Sequence, residues 1–336
     1  MNLRRWLPVV DTHTAGEPTR VVLGGIPPIP GASMAERMRW LEANADDLRT
    51  FLVREPRGHA DMFAALVVPP ADPTADVGLL FLEGGGYLAM CGHATIGAVT
   101  ALVSLGWTTA DCLVADTPAG LVRCRIVSDG GRVSAVAFRN VPSFYLGTVS
   151  RGKLPVDIAY GGNLFALVDA DLWGLELSPG ALIDLVRLGL DLRTWVNGQS
   201  TFRHPVTGAA LTVELVEFYQ ETPRPRNVVV FGQGQVDRSP CGTGLSAKLS
   251  LLHARGAVGV GDAYRYQGIL GTEFVGAVVS EVDLGGARGI IPEVTGSAHV
   301  VSMATLVLEE GDPLPNGFSL AGGQAGVGAR GGADAD

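Results

Sequence analysis

Two of the four cysteines stand in matching surroundings: Cys91 in Met90-Cys91-Gly92-His93-Ala94-Thr95, and Cys241, 150 residues later, in Pro240-Cys241-Gly242-Thr243-Gly244. Each precedes an apolar, helix-like run. A thiol at a helix N-terminus meets unpaired N–H groups and the positive end of the helix dipole, which favour the thiolate. Free cysteine titrates near pKa ~8.5. A helix N-terminus can lower that enough for one thiolate at neutral pH, while the charge of the first opposes a second. One thiolate plus one thiol is a base and an acid. Facing each other across one carbon, they can take a proton from one side and deliver another from the opposite side, inverting a stereocentre. Removal of an amino acid's α-proton builds negative charge beside a carboxylate, and backbone N–H groups at two helix starts can absorb it without a metal or pyridoxal phosphate.

Neighbouring residues extend this reading, each with a plainer alternative. Cys112 and Cys124, inside strand-like stretches, read as small buried hydrophobes. His93 either caps the helix or supplies a backbone N–H to a carboxylate and tunes the Cys91 thiol with its ring. Asp237 is either a turn residue paired with Arg238 or, in a pocket, the partner of a substrate ammonium. A Cys-His protease leaves the second cysteine loop unexplained. Gly84-Gly85-Gly86 lacks both the Walker lysine and the dinucleotide spacing. His13, His59 and His93 have no ligand spacing for a catalytic metal, so no metal and no cofactor are expected.

The elements that must position these groups follow from the rest of the chain. At 336 residues it is long enough for two domains, and with 47% hydrophobic residues it can bury a large core. A net charge of −9 with no basic block argues against nucleic acid. No apolar stretch reaches transmembrane or signal-peptide length, so a cytoplasmic protein off the membrane is expected. Sparse cysteines without a C-x-x-C pair predict reduced thiols and no structural zinc. Strand-like runs at 20–23, 62–68, 78–81, 133–138, 211–216 and 227–231 are bounded mostly by Gly, Pro, Asp and Asn. Ser33 with Glu36 reads as a capping box opening a helix through Met34, Met38, Leu41, Ala45 and Leu48. Ser178-Pro179 opens another, with Leu182, Leu185 and Val186 on its buried stripe and a stop signal at Gly189. The fold class is α/β (α+β) with abundant antiparallel pairing. At an offset of 150, Phe81 matches Phe231, Gly84 matches Gly234, and Cys91-Gly92 matches Cys241-Gly242, which suggests two related lobes facing each other.

Together these motifs resemble the proline racemase family, which also includes 4-hydroxyproline 2-epimerases and trans-3-hydroxyproline dehydratases. The likeness runs from Asp11-Thr12-His13-Thr14-Ala15-Gly16-Glu17-Pro18-Thr19-Arg20 through Glu55–Phe63, both cysteine loops, Asp116–Gly120 and Gly161-Gly162-Asn163 to Thr295-Gly296-Ser297-Ala298. The resemblance implies two pseudo-symmetric lobes of the diaminopimelate epimerase type. Each is a curved, mostly antiparallel sheet wrapped around a central helix, with the site in the cleft between them. The expected lobes are 1–142 and 143–320, with the final strands able to cross back to the first lobe, followed by a disordered tail at 321–336. The family implies a homodimer without cofactor. It makes Cys91 and Cys241 the acid/base thiols, gives backbone groups of Gly92, His93, Gly242 and Thr243 to the substrate carboxylate, and Asp237 to the ring nitrogen.

Within the family, dehydratases generally replace the second cysteine, so Cys241 argues against dehydration. Phe63 and Phe231 match the aromatic walls that close over an unsubstituted ring in proline racemases, which favours proline over 4-hydroxyproline. One position departs from the pattern: relatives usually read Cys-Gly-Thr-Gly-Thr-Ser-Ala, whereas Leu245 follows Gly244 here. The hydroxyl lost there raises the alternative of a silent proline-binding protein.

Overall fold

The computed structural model describes residues 2–222 and 224–320; the tail expected at 321–336 lies outside the described residues. In the first half, β1 (Leu3–Thr14), β2 (Glu17–Val22), α1 (Met34–Asn44), α2 (Asp46–Val53), β3 (Phe63–Val68), β4 (Val77–Leu82) and β5 (Tyr87–Leu88) lead into α3 (Gly92–Ser104), followed by β6 (Cys112–Thr117), β7 (Gly120–Asp129) and β8 (Arg132–Arg139). The second half repeats the plan. There β9 (Phe144–Arg151), β10 (Leu154–Tyr160), β11 (Leu164–Asp169), α4 (Leu182–Gln199), β12 (Phe202–Arg203), β13 (Ala210–Leu211), β14 (Val213–Gln220), β15 (Arg226–Phe231) and β16 (Gln235–Val236) lead into α5 (Gly242–Ala254). Then come β17 (Ala263–Gln267), β18 (Glu273–Asp283), β19 (Arg288–Gly296) and β20 (Ala298–Glu309).

All strands but the small β12–β13 hairpin join one mixed sheet. Each half places two parallel pairings inside an otherwise antiparallel run: β2 with β3 and β4 with β6 in the first, β11 with β14 and β15 with β17 in the second. The halves join where β8 pairs with β19, and the last strand returns to pair with the first, β20 against β1. Each half curls around its own helix: α3 packs on β1, β2, β3 and β8, and α5 on β9, β10, β18 and β19. A helix wrapped on all sides must be apolar all round. Accordingly, Gly92–Leu102 of α3 and Gly242–Leu251 of α5 are buried throughout. β4 is buried at all six residues, because α3 covers one face of the first sheet while α1 and α2 close a second, smaller core on the other.

Two local expectations are corrected. The helix beginning at Ser33 breaks at Ala45 and restarts as α2, so Leu48 belongs to a separate helix. Ser33 does accept the Glu36 N–H, but the Glu36 carboxylate returns to the Ala32 N–H. Gly189 does not stop α4, which runs on to Gln199. This glycine is buried against Val230, where a Cβ would come within 2.9 Å of the valine side chain, so close helix–sheet packing explains it rather than chain reversal.

Candidate active site

The two central helices point their N-termini at one another. A Cβ on Gly92 would lie 2.9 Å from the Gly242 Cα, and the Phe138 ring tip would lie 2.9 Å from a Cβ on either glycine. Only residues without side chains allow this approach, which is why a Cys-Gly pair opens both helices. Cys91 and Cys241 are the N-cap residues of α3 and α5, and each is only 4% exposed. The first intrahelical bonds come from the Thr95 N–H to the Cys91 carbonyl and the Leu245 N–H to the Cys241 carbonyl. The N–H groups of Gly92, His93, Gly242 and Thr243 precede those bonds and, as at any helix start, are free for an anion.

The two caps differ in their backbone. Cys91 is extended (φ −140°), whereas Cys241 has φ 58°, a left-handed conformation uncommon for a residue with a side chain. Such a conformation costs about 1–3 kcal/mol and persists only where neighbours enforce it. Here Asn227 Nδ2 donates to the Pro240 carbonyl (2.8 Å), and the Cys241 N–H donates to Ser239 Oγ (3.1 Å). Ser239 in turn donates its N–H and hydroxyl to Asp237 Oδ1 (2.8 and 2.7 Å).

Around Cys91, the sulfur lies 3.4 Å from His93 Nδ1. Burial holds the His93 pKa down to about 3, so its ring is neutral. The ring meets Phe63 edge-on, with centroids 4.5 Å apart, and Phe63 lies 5.3 Å from Phe231. The two aromatic walls singled out in the sequence are therefore in contact, one from each half. Around Cys241, the partner is the Thr243 hydroxyl, 3.7 Å from the sulfur.

Asp237 is buried, and desolvation pushes its pKa up to about 6 against the opposing pull of the Ser239 hydrogen bonds. It has no ion pair with Arg238, contrary to the plainer expectation. The guanidinium instead reaches Asp61 (2.6 Å) and the fringe of Glu17 (3.9 Å), both in the first half of the chain. Asp237 is thus a buried carboxyl held by the Ser239 N–H and hydroxyl and by the Cys241 thiol, without an ion pair of its own, and suited to receive a cation. Glu17, also buried and also raised, accepts the Arg238 N–H at 2.7 Å.

The thiols do not have the low pKa that a helix start alone predicts. Desolvation pushes both well up, and the Asp237 carboxylate opposes ionisation of each. Burial outweighs the helix N–H groups. Hydrogen bonds cross between the halves: Gln235 Nε2 donates to the Ala60 carbonyl (3.0 Å) and to Glu83 Oε2 (3.1 Å), beside a cavity of about 480 Å³ lined in part by His59, Ala60, Asp61, Gly84 and Gln235.

Sequence reasoning assigned no role to Glu17, Phe138 or Glu217. Phe138 is an ordinary apolar strand residue by pattern, and only the fold brings it between the helix starts. Glu217 had a readable signal: a carboxylate set between Val216 and Phe218 in a strand buried from Leu215 to Tyr219. Leu245 is fully buried and packs on β18, where a Cβ on Gly276 would lie 3.0 Å from its side chain. The departure from the family pattern is thus absorbed by the sheet. Among the described residues, no group of three or more His, Cys, Asp or Glu could hold a metal, and no helix is long and apolar enough to cross a membrane.

A family model described as proline racemase matches residues 9–319. The chain belongs to the proline racemase family. It is 43% identical to the proline racemase of Clostridioides difficile over 95% of this chain and 100% of that protein. It is 38% identical to the 4-hydroxyproline 2-epimerase of Streptosporangium roseum, over 95% of this chain and all of the relative. A crystal structure of a hydroxyproline epimerase from Agrobacterium vitis with bound trans-4-hydroxy-L-proline superposes with a TM-score of 0.89 at 34% identity, covering 95% of this chain and 97% of that one. The mixed fold expected from the sequence is therefore that of the proline racemase family, whose members include racemases and epimerases acting on proline and hydroxyproline.

Proposed function

We propose that this protein interconverts L- and D-proline without a cofactor, with Cys91 and Cys241 as the paired acid and base. The observation that carries the reading is the placement of two cysteine caps on helices whose first glycines nearly touch. The substrate carboxylate lies on the N–H groups of Gly92, His93, Gly242 and Thr243, its ring nitrogen meets Asp237, and Phe63 and Phe231 wall the ring. A bound ammonium cancels the Asp237 charge that opposes both thiols, so substrate itself makes the thiolate accessible. One sulfur, as thiolate, takes the Cα proton. The electron pair left behind spreads onto the carboxylate and is held by the amide N–H groups, and the second sulfur gives its proton to the opposite face. The product leaves an enzyme in which thiol and thiolate have changed places.

Purified protein incubated with L-proline in D2O should lose optical rotation and gain deuterium at Cα. Absence of Cα exchange with every proline derivative tried would overturn the reading. A second reading, 4-hydroxyproline 2-epimerase by the same two thiols, is favoured by the likeness to the Agrobacterium vitis enzyme. A side-by-side kcat/KM comparison of L-proline and trans-4-hydroxy-L-proline decides between them. Cys241 speaks against a dehydratase, and proline binding by calorimetry without exchange would mark a silent binder. We read the chain as lobes 1–142 and 143–320, with β20 returning to the first, and as a cytoplasmic homodimer, which light scattering checks.

A further inference from the structure

At the offset of 150, α3 and α5 both begin with glycine after the cysteine, and among the residues that then differ Ala94 in α3 is Gly244 in α5. A Cβ at Gly244 would lie 2.2 Å from Glu217 Oε2 and 3.2 Å from Cys241 Sγ. The Glu217 carboxyl therefore occupies the volume that the Ala94 methyl fills in the other half, directly beside the second sulfur. Register supports the equivalence: Glu217 pairs with Val229 in the second half as Val67 pairs with Leu79 in the first. At the corresponding place, Cys91 has only valine and alanine.

Glu217 is fully buried. Oε1 accepts the Tyr266 hydroxyl at 2.5 Å, and Oε2 has no hydrogen-bond partner. Other groups face it from the elements around it. β17 contributes Tyr266 and Tyr264; α5 contributes Lys248 and Cys241; β15 contributes Asn227, whose amide goes to the Pro240 carbonyl; and Asp237 and Glu221 lie in the flanking loops. From β11, the parallel neighbour, only apolar Leu167 stands opposite. Lys248 is committed to Glu221 (2.8 Å). Once ionised, this carboxyl beside the sulfur disfavours the thiolate.

We propose that Glu217 is a positioning residue that makes Cys241 the harder of the two thiols to ionise, so that Cys91 is the first to become a thiolate and Cys241 the one that keeps its proton. This rests on the two-thiol reading above and deepens it. Cys91 also faces the carboxyls of Asp237, Glu17 and Glu83: Glu83 Oε2 takes the Gly85 N–H (2.6 Å) and the Gln235 amide, and Glu17 takes the Arg238 N–H on Oε2 while its Oε1 has no partner. After burial, the largest influence on Cys91 is the Ala94 N–H, which favours its thiolate; on Cys241 it is carboxylates, Asp237 and then Glu217, which oppose it.

The test is alkylation of the substrate-free enzyme with iodoacetamide from pH 6 to 9, each cysteine followed by peptide mass spectrometry. Opening of the cleft affects both thiols, so the ratio of their rates reports ionisation. In the parent protein, Cys91 should be labelled first. In E217Q, the Cys241 rate should rise roughly tenfold, the equivalent of one pKa unit, while the Cys91 rate stays within about twofold. The double variant E217V/G244A rebuilds the valine–alanine arrangement of the first half, should give the same change, and carries the test if E217Q does not fold. An unchanged rate ratio in the folded variants, or faster labelling of Cys241 in the parent protein, overturns the proposal. The readout needs no turnover, so loss of the racemase reading in the exchange assay is separate from loss of this one.

Discussion

The first and second halves build the same device from different surroundings. Both end a sheet loop in Cys-Gly, both begin a buried thirteen-residue helix there, and both aim that helix at the other. Yet Cys91 is relaxed and backed by an apolar core, with a neutral histidine beside its sulfur, whereas Cys241 is held at φ 58° against a buried polar group that includes Glu217, Tyr266 and Lys248. Even the helix-start hydroxyl is uneven: Thr95 donates to the Cys91 carbonyl at 2.7 Å, and its counterpart is Leu245. The two halves place matching thiols at matching helix starts but surround them unequally, and the proposed division into base and acid rests on that inequality.

The strongest way to break this comparison is to remove one sulfur at a time. Cys91→Ser and Cys241→Ser should each lower racemisation on the order of 10³-fold, within the usual range for a lost acid or base. Each should keep slow Cα deuterium exchange with only one enantiomer, the one presented to the remaining thiol, as read by NMR. Equal exchange of both enantiomers in either variant would refute opposed faces.

Exchanging the small residues should cost stability at both places, for different reasons. Gly244→Ala drives a methyl into the Glu217 carboxyl and should cost about 1–3 kcal/mol in urea denaturation, an effect relieved when Glu217→Val is added. Ala94→Gly, at the matching place, meets no such collision and should cost about 1 kcal/mol through helix propensity alone. Equal costs at the two sites would mean that the carboxyl is not packed as described.

Protonation offers a gentler probe. Burial raises Glu217 from 4.5 to about 7, so the folded state binds this proton more tightly than the unfolded chain does. Its contribution to stability is complete below pH 4.5 and is lost as pH rises through about 7. Asp237, raised from 3.8 to about 6, acts in the same sense over a lower window. Urea midpoints should therefore fall between about pH 4 and pH 7, and Glu217→Gln should flatten the upper part of that fall. A slope unaltered by Glu217→Gln would remove this carboxyl from the account.

The smallest effect belongs to Leu245→Thr. The new hydroxyl can bond back to the Cys241 carbonyl as Thr95 does to Cys91, so kcat/KM should change by less than about threefold. A larger change would mean that the side chain at 245 reaches the substrate.

Much of this was readable in the chain, because the reading used local rules. A Cys-Gly pair before an apolar run states a helix start with a thiol on it, and the offset of 150 states that the start occurs twice. Phe63 and Phe231 stand out through the resemblance to proline racemases, and most of the long apolar strands by composition. Gly189 misled because a glycine that ends a helix and one that admits a neighbouring strand look alike until the strand is in place. Phe138 gave no sign, since nothing local distinguishes a core phenylalanine from one wedged between two helix ends.

The sequence by itself determined the pair of helix-capping thiols, because those depend on residues within a few positions of one another. What only the tertiary structure decided is how hard each thiol is to ionise. That depends on water excluded by distant strands and on carboxyls such as Asp237 and Glu217 brought in by the fold. Desolvation and Coulomb forces act through space rather than along the chain.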